Sequence, residues 1–259
     1  MTLVVDPSID VPASAIPSLS AAQMAEVDRL AVDEHGISLL QMMEQAGSHL
    51  AEVIRIELGG SLVGRDIVVA TGPGNNGGGG LTAARHLANR GAEVRVVLAS
   101  PAMRSTEASR HQLASLIAMG ADCCVATYDL PDADVVRAMS TADVIVDAIL
   151  GYSLKGPPRG DVERLISFVL QADRPVISLD LPSGLDPDTG SVPGVAITAA
   201  ATMTLALPKV GLLKREGLTH VGRLYLADIG LPTRLYAALG IQVDSPFVGS
   251  RIVKMDIHR

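Results

Sequence analysis

Residues 67–80 have the sequence IVVATGPGNNGGGG, an apolar run that passes directly into a glycine-rich turn. A helical pattern follows over residues 81–90, so the stretch is typical of a buried strand, a turn and a helix. Glycines let the main chain approach a ligand closely, and the N–H groups at a helix start bind phosphate. A merely flexible linker is the alternative, but Asn75 and Asn76 add donors and acceptors at the tip. The stretch therefore predicts a site for a phosphate-bearing nucleotide.

Outward from this stretch, apolar runs alternate with helical patterns along the chain. Further strands are predicted at residues 94–99, 123–126, 144–150, 176–182, 201–207 and 224–228. Helices are predicted at residues 20–36, 38–58, 81–90, 107–119, 134–139 and 162–170, the first with a Ser20–Gln23 capping box. Strands that alternate with helices need right-handed crossovers, so we expect a mostly parallel sheet sandwiched by helices.

The composition agrees with this class of fold. The 259 residues are 48% hydrophobic but only 2% aromatic, which suits parallel strands of small aliphatic side chains covered on both faces. The formal net charge of −7 argues against a broad nucleic-acid surface. No apolar run reaches the ~18 residues that span a bilayer, and no secretory signal is evident. We expect a cytoplasmic protein in which Cys123 and Cys124 are buried free thiols.

The domain organisation predicted from these patterns is simple. Residues 1–17 contain prolines and no periodicity, so they are predicted to form a loose leader. Residues 18–245 are predicted to form a single α/β domain, because neither a linker nor an internal repeat interrupts the alternation. Residues 246–259 are assigned to a C-terminal tail.

Two aspartates, Asp147 and Asp180, lie near the ends of otherwise apolar strands. Ligands of an open parallel sheet bind beyond the carboxyl ends of its strands, where the glycine turn also lies. A buried carboxylate is costly unless it is hydrogen-bonded, paired or metal-bound. Either aspartate alone could cap the following turn, but two together favour a functional site. Lys155 and Arg159 are either solvated charges or the nearest cations for an anionic ligand.

Other motifs are weak or absent. Gly72, Gly74 and Gly77 formally satisfy G-x-G-x-x-G, which keeps a hydride-transferring Rossmann enzyme as an alternative. Pro73 removes one amide donor from the turn, and the second strand ends without a carboxylate for a ribose hydroxyl. The histidines show no metal-binding spacing, and neither a P-loop nor a nucleophile elbow occurs.

Several longer motifs resemble the NAD(P)H-hydrate epimerase family, whose domain also forms the N-terminal part of bifunctional nicotinamide-repair proteins. Residues 20–232 contain, in the family's order, QMAEVDRLA, LLQMMEQAG, GPGNNGG, VDAILGYSLKG, SLDLPSGLDPDTG, LPKVGLL and ADIGLP. The resemblance implies a three-layer α/β/α sandwich, Rossmann-like, and a homodimer. It also implies an isomerase that interconverts the R and S epimers of NADHX and NADPHX, which are cofactors hydrated on the nicotinamide ring.

The same resemblance implies site residues. Asn76, Asp147 and Ser183 resemble the ligands of a potassium ion, and their oxygens suit a hard cation. The implied substrate contacts are Asn75, Asn76, Gly77, Gly78, Gly79, Gly151, Tyr152, Ser153, Leu154, Lys155, Gly156, Arg159 and Asp180. The epimerised carbon bears a ring nitrogen and a hydroxyl, so hydroxide can leave and water can return to either face. Asp180 is predicted to be the acid–base group, with Lys155 as an electrostatic or proton-transfer helper.

One position departs from the family pattern. The family turn usually reads NNGGDG, whereas residues 75–80 read NNGGGG, so Gly79 replaces an aspartate. The loss of a ligand acceptor leaves an alternative function, a catalytically weak or inactive nucleotide-binding or scaffold domain of the same fold. Because the sequence ends soon after Pro232, we expect a stand-alone epimerase whose product passes to a separate NAD(P)H-hydrate dehydratase.

Overall fold

The computed structural model describes residues 10–120, 123–126 and 131–257 of the chain. Its strands are β1 (Asp10–Pro12), β2 (Asp66–Thr71), β3 (Glu93–Leu98), β4 (Cys123–Ala126), β5 (Val144–Ala148), β6 (Val176–Leu179), β7 (Ala201–Leu205), β8 (Arg223–Ala227) and β9 (Ile252–Asp256). Its helices are α1 (Ala21–Asp33), α2 (Leu39–Glu57), α3 (Asn75–Asn89), α4 (Glu107–Ala118), α5 (Asp132–Ser140), α6 (Gly160–Gln171), α7 (Leu218–Val221) and α8 (Arg234–Ala237). Short 3-10 turns lie at Ala13–Ala15, Ala102–Arg104 and Val210–Leu213.

The strands form one sheet in the order β1-β9-β8-β7-β6-β5-β2-β3-β4. Neighbouring strands are parallel except for β8 and β9, which run antiparallel. The chain moves from β2 outward to β3 and β4, and then returns to place β5 on the other side of β2. Thr71 at the end of β2 therefore lies level with Ala148 at the end of β5. Such a reversal opens a crevice beyond the carboxyl ends of two strands, where open α/β sheets bind ligands.

Side chains of the central strands alternate between two covered faces of the sheet. Val69 and Val146 belong to a core cluster that includes residues of α2 and α3. Val68 and Ile145 belong to a second cluster that includes residues of α5 and α6. Full burial of one such side chain contributes about 1.5–3 kcal/mol, so both helix layers are held by the apolar character of the strands. The predicted three-layer α/β/α sandwich with a mostly parallel sheet is confirmed.

The two N-terminal helices begin where the sequence predicts. Ser20 accepts a hydrogen bond from the main-chain N–H of Gln23, and the Gln23 side chain accepts one from the Ser20 N–H, which makes a complete capping box. Ser38 and Gln41 form the same arrangement at the start of α2. These contacts satisfy N–H groups that a helix start leaves unpaired, and each cap contributes about 1 kcal/mol. The caps fix where α1 and α2 approach the carboxyl edge of the sheet.

The edge beyond β8 contains two strands that the sequence analysis did not predict. β9 lies within the predicted tail and β1 within the predicted leader, and the two pair in parallel. The prediction of a loose leader and a tail therefore does not hold for residues 10–12 and 252–256. Ile252, Val253 and Met255 are buried, so β9 covers apolar surface at this edge.

Two further expectations concern cysteines and membranes. The backbone of residues 123–126 forms β4 as predicted, but the burial of the Cys123 and Cys124 side chains lies outside what the structure describes. Within the described ranges, the helices lack the combination of length and apolarity that crossing a bilayer needs.

Candidate active site

The glycine turn is shorter than the sequence predicts, because α3 begins at Asn75 rather than near residue 81. Residues 77–80 therefore lie buried in the first turns of this helix. A Cβ atom on Gly77 would lie 2.0 Å from the carbonyl oxygen of Gly72, so the start of the helix packs against the backbone that leaves β2. Glycine lowers helix stability by about 1 kcal/mol relative to alanine. Glycine at position 77 therefore allows close packing of the helix against the backbone, and it does not serve to make the turn flexible.

Replacing Gly77 with alanine is expected to lower the free energy of unfolding by about 1–3 kcal/mol, the usual cost of overpacking. The clash is with main-chain atoms, which cannot swing aside. Urea denaturation of the Gly77→Ala variant measures the change. Gly74→Ala is the matched control, because a Cβ atom there meets nothing within 4 Å, and we expect a smaller loss. Equal stability of the two variants would contradict this account of the turn.

A cavity of about 420 Å³ lies among the start of α3, the helices α1 and α2, and the loops that follow β5 and β6. Its apolar wall includes Met24, Leu39, Met42, Met43, Ala46, Leu205 and Ile229. Its polar wall includes Asp28, Asn75, Asn76, Tyr152, Ser153, Asp180 and Lys209. Cavities of this size and mixed character are typical of small-molecule and cofactor sites.

The structure brings part of the predicted site together here. The predicted residues that line the cavity are Asn75, Asn76, Gly79, Gly151, Tyr152, Ser153 and Asp180. The predicted substrate contacts that do not line it are Gly77 and Gly78, which are buried within α3, and Leu154, Lys155, Gly156 and Arg159 in the loop before α6. The predicted metal ligands Asp147 and Ser183 also lie outside its lining. Lys155 is exposed, so the prediction that it assists Asp180 is not supported by its position.

The cation beside Asp180 is instead Lys209. Its ammonium group donates to Asp180 Oδ1, and also to the carbonyl oxygen of Leu205 at 3.0 Å. Both side chains are buried, with 1% of Lys209 and 5% of Asp180 exposed. Thr204 donates a longer hydrogen bond of 3.4 Å to the same carboxylate oxygen. A buried ion pair of this kind needs such extra hydrogen bonds to offset its desolvation.

The backbone at Asp180 is also unusual. This residue follows β6 directly and has a φ of +69°, a left-handed conformation that favours glycine. Its N–H donates to the carbonyl oxygen of Met203 at 2.8 Å, which anchors the conformation to β7. Strained backbone of this kind costs of order 1–3 kcal/mol and is found preferentially at functional sites. In this conformation Asp180 lines the cavity.

Asp28 and Tyr152 form a second polar pair in the cavity. The Tyr152 hydroxyl donates to Asp28 Oδ2 at 2.5 Å. Burial raises the pKa of Asp28, and the Tyr152 hydrogen bond and the positive charge of Lys209 offset part of that rise. Burial and the Asp28 carboxylate raise the pKa of Tyr152, so its phenol stays protonated. The Lys209 ammonium lies 5.9 Å from the centre of the Tyr152 ring.

Asp147 is fully buried and is held by hydroxyl and main-chain donors. Ser183 donates its N–H at 2.8 Å and its hydroxyl at 2.5 Å, and the Ser178 hydroxyl donates at 2.8 Å. Burial raises the pKa of Asp147, and these hydrogen bonds lower it again in part. In the part of the chain that the structure describes, no ion pair offsets the charge of this carboxylate.

Asn76 reaches the same network from α3. Its amide nitrogen donates to the carbonyl oxygen of Leu150 at 2.8 Å, and the N–H of Leu150 donates to Ser183 Oγ at 2.9 Å. Asn76 also donates to the carbonyl oxygen of Leu179 at 3.2 Å, one residue before Asp180. The predicted metal ligands Asn76, Asp147 and Ser183 are thus linked, and Asn76 connects them to the residue before Asp180.

The sequence of this chain matches known proteins over most of its length. Residues 39–211 match the family described as YjeF-related protein N-terminus. A protein named NAD(P)H-hydrate epimerase from Dehalogenimonas lykanthroporepellens is 41% identical over 243 residues, which are 93% of this chain and 94% of that protein. The chain belongs to the NAD(P)H-hydrate epimerase family.

Other family members extend the likeness in sequence and structure. A Limosilactobacillus fermentum NAD(P)H-hydrate epimerase is 35% identical over 82% of this chain and 96% of that protein. The bifunctional NAD(P)H-hydrate repair enzyme of Moorella thermoacetica is 41% identical, but the match covers only 41% of its length. The crystal structure of yeast ynu0 superposes with a TM-score of 0.77 at 26% identity, covering 92% of this chain and all of that one. The fold of the family is therefore present nearly in full.

The departure from the family turn, Gly79, lies in the cavity wall. A Cβ atom added there would lie 2.8 Å from Cδ2 of Leu179, the far end of a flexible side chain. Leu179 thus fills space that an aspartate at position 79 would need. A small shift of the Leu179 side chain would make room for the carboxylate that the family pattern leads us to expect.

Proposed function

We propose that this protein interconverts the R and S epimers of hydrated NADH and NADPH. The observation that carries the proposal is a cavity that joins the start of α3 to the buried Asp180–Lys209 pair. The family membership supports the substrate, because the relatives that match most of the chain are named NAD(P)H-hydrate epimerases. The apolar wall suits a nicotinamide ring, and the helix start suits the phosphates.

The chemistry needs a proton carrier beside the hydrated ring carbon. The bond from that carbon to its hydroxyl breaks, the ring nitrogen supplies its lone pair, and the hydroxide leaves as water after it takes a proton. Addition of water to the planar cation, with loss of a proton to a base, restores the hydrated ring with either configuration. We assign these proton exchanges to Asp180, which lines the cavity and accepts a hydrogen bond from Lys209.

We further propose that a potassium ion binds at Asn76, Asp147 and Ser183. Their amide, carboxylate and hydroxyl oxygens are ligands for a hard cation. The buried Asp147 carboxylate supports this fit, since the described residues give it hydrogen bonds but no ion pair. When bound, the ion would supply positive charge beside the substrate cavity. Asn76 would link it to the start of α3.

Potassium chloride is expected to raise the melting temperature and the activity relative to tetramethylammonium chloride at equal ionic strength. Binding to the folded state alone stabilises by about 2.7 kcal/mol at a ligand concentration of 100 times Kd. Differential scanning fluorimetry of the wild type in the two salts measures the shift. Identical melting curves and rates in both salts would contradict a specific cation site.

The setting that we propose is a homodimer in the cytoplasm. Family resemblance and the sequence composition support it. A separate NAD(P)H-hydrate dehydratase would consume the product. The bifunctional relatives support such a partner, because they are named as bifunctional repair enzymes and this chain spans only 41–43% of three of them.

The direct test supplies R-NADHX and follows the appearance of the S epimer by chromatography against the spontaneous rate. The same assay with R-NADPHX compares the two substrates. Nucleotide binding without acceleration of either epimerisation would overturn the proposal. It would favour the second candidate, a weakly active or inactive nucleotide-binding domain, which Gly79 supports because it removes a carboxylate from the cavity.

Replacing Gly79 with aspartate separates these candidates further. We expect a severalfold rise in turnover, because the new carboxylate gives the substrate a hydrogen-bond acceptor, and Leu179 can move aside. Steady-state kinetics on R-NADHX measures the change. Gly79→Asn is the matched control, with nearly the same shape but no charge. Unchanged or lower turnover in Gly79→Asp would mean that this protein uses the turn differently from its family.

A further inference from the structure

We propose that Asp28 and Tyr152 form a second acid–base group, which serves the opposite face of the substrate ring from Asp180. This inference rests on the proposed epimerase function and adds residues to it. Asp28 comes from α1, Tyr152 from the loop after β5 and Asp180 from the end of β6. All three line one cavity.

The position of Asp28 is unusual for a structural carboxylate. It lies on the side of α1 that buries Met24, Val27 and Ala31, where an apolar side chain would pack at lower cost. Its Oδ2 accepts the Tyr152 hydroxyl at 2.5 Å. Across the described ranges, neither an ion pair nor a second hydrogen bond holds the carboxylate. A half-buried carboxyl that lines a cavity and has one oxygen without a hydrogen bond in the described part of the chain is available to a ligand.

Tyr152 connects this carboxyl to the rest of the site. Its hydroxyl remains protonated, so it can pass a proton between Asp28 and a water molecule in the cavity. Lys209 donates to Asp180, and its ammonium lies 5.9 Å from the centre of the Tyr152 ring. Burial raises the pKa of Asp28, which favours its protonated form. Asp28 and Asp180 can therefore act as separate proton carriers.

Epimerisation gives two such groups distinct tasks. The carbon–oxygen bond breaks on one face, the hydroxide takes a proton from the acid there, and the ring nitrogen supplies an electron pair to form a planar cation. Water then attacks the other face, a new carbon–oxygen bond forms, its extra proton passes to the second base, and the nitrogen recovers its pair. One carboxylate can contact only one face of a bound ring. A second proton acceptor on the other side would therefore assist inversion.

Solvent labelling with oxygen-18 tests this assignment. R-NADHX is incubated with enzyme in labelled water, and mass spectrometry measures label in the recovered R epimer and in the S epimer. Label in R reports departure and return on one face, whereas label in S reports inversion. For Asp28→Asn and Tyr152→Phe we expect the ratio of inversion to exchange to fall at least about tenfold from the wild-type value. Asp33→Asn is the control, an exposed change on the same helix.

The labelling experiment distinguishes a catalytic role of Asp28 and Tyr152 from a structural one. A structural role for the pair would lower exchange and inversion together and leave their ratio unchanged, which would overturn the inference. Tyr152→Phe keeps the ring beside Lys209, so it remains informative if Asp28→Asn unfolds. An unchanged ratio in Tyr152→Phe also overturns the inference. If the wild-type protein accelerates neither process, the proposed epimerase function fails instead.

Discussion

Replacing Asp180 with asparagine is expected to lower turnover on R-NADHX by about 10²–10⁴-fold, the usual contribution of a general acid–base group. The amide keeps the shape of the side chain and can still accept from Lys209, but it cannot exchange a proton with the substrate. Nucleotide binding at the start of α3 should survive, because it depends on main-chain groups. Single-turnover kinetics together with a binding titration measure the two effects separately.

Asp173→Asn is the matched control for this variant. Asp173 is exposed at the end of α6 and, like Asp180, has a positive φ, which is 51°. Any effect of asparagine on left-handed backbone is therefore common to both variants, whereas only Asp180 lines the cavity. Full activity in Asp180→Asn would remove this carboxylate from the mechanism.

The order of strands and helices could be predicted because each central strand is an apolar run and each crossover helix has its own periodicity. β2 and β5 are buried along most of their length, and this leaves a clear signal in sequence. The start of α3 could not be predicted, since a glycine run normally breaks a helix and only contacts such as Gly77 with Gly72 explain it. β9 was missed because its five residues alone show too little pattern.

The site could be predicted only in part for a similar reason. Asp147 and Asp180 stand out as charges in apolar strands, and Asn76 lies in a distinctive turn. Lys209 was missed although it interrupts the apolar residues 205–213, a signal that could have marked it as a buried cation. Asp28 occupies a core-facing position of α1, which was also visible in the sequence. Which cation meets which carboxylate depends on contacts across 29 residues of chain, which spacing alone does not show.

Replacing Lys209 with methionine is expected to lower both activity and stability. Asp180 would stay buried with only Thr204 as a side-chain donor, and an uncompensated buried charge costs about 3–5 kcal/mol of unfolding free energy. Activity should fall by about 10²-fold or more, because the carboxylate would lose the hydrogen bond that holds it in place. Lys155→Met is the control: this lysine is exposed and does not line the cavity, so both quantities should remain close to wild type.

The double variant Lys209→Met with Asp180→Asn tests whether Lys209 stabilises the protein by pairing with Asp180. Removing both charges removes the uncompensated one, so the double variant should be more stable than Lys209→Met alone by about 1–4 kcal/mol. Its activity should nevertheless stay as low as that of Asp180→Asn, since no proton carrier is restored. Urea denaturation and epimerase kinetics on the four proteins of this cycle give both quantities. If the loss of unfolding free energy in the double variant equals the sum of the losses in the two single variants, Lys209 and Asp180 contribute independently. That result would contradict the account of the ion pair given above.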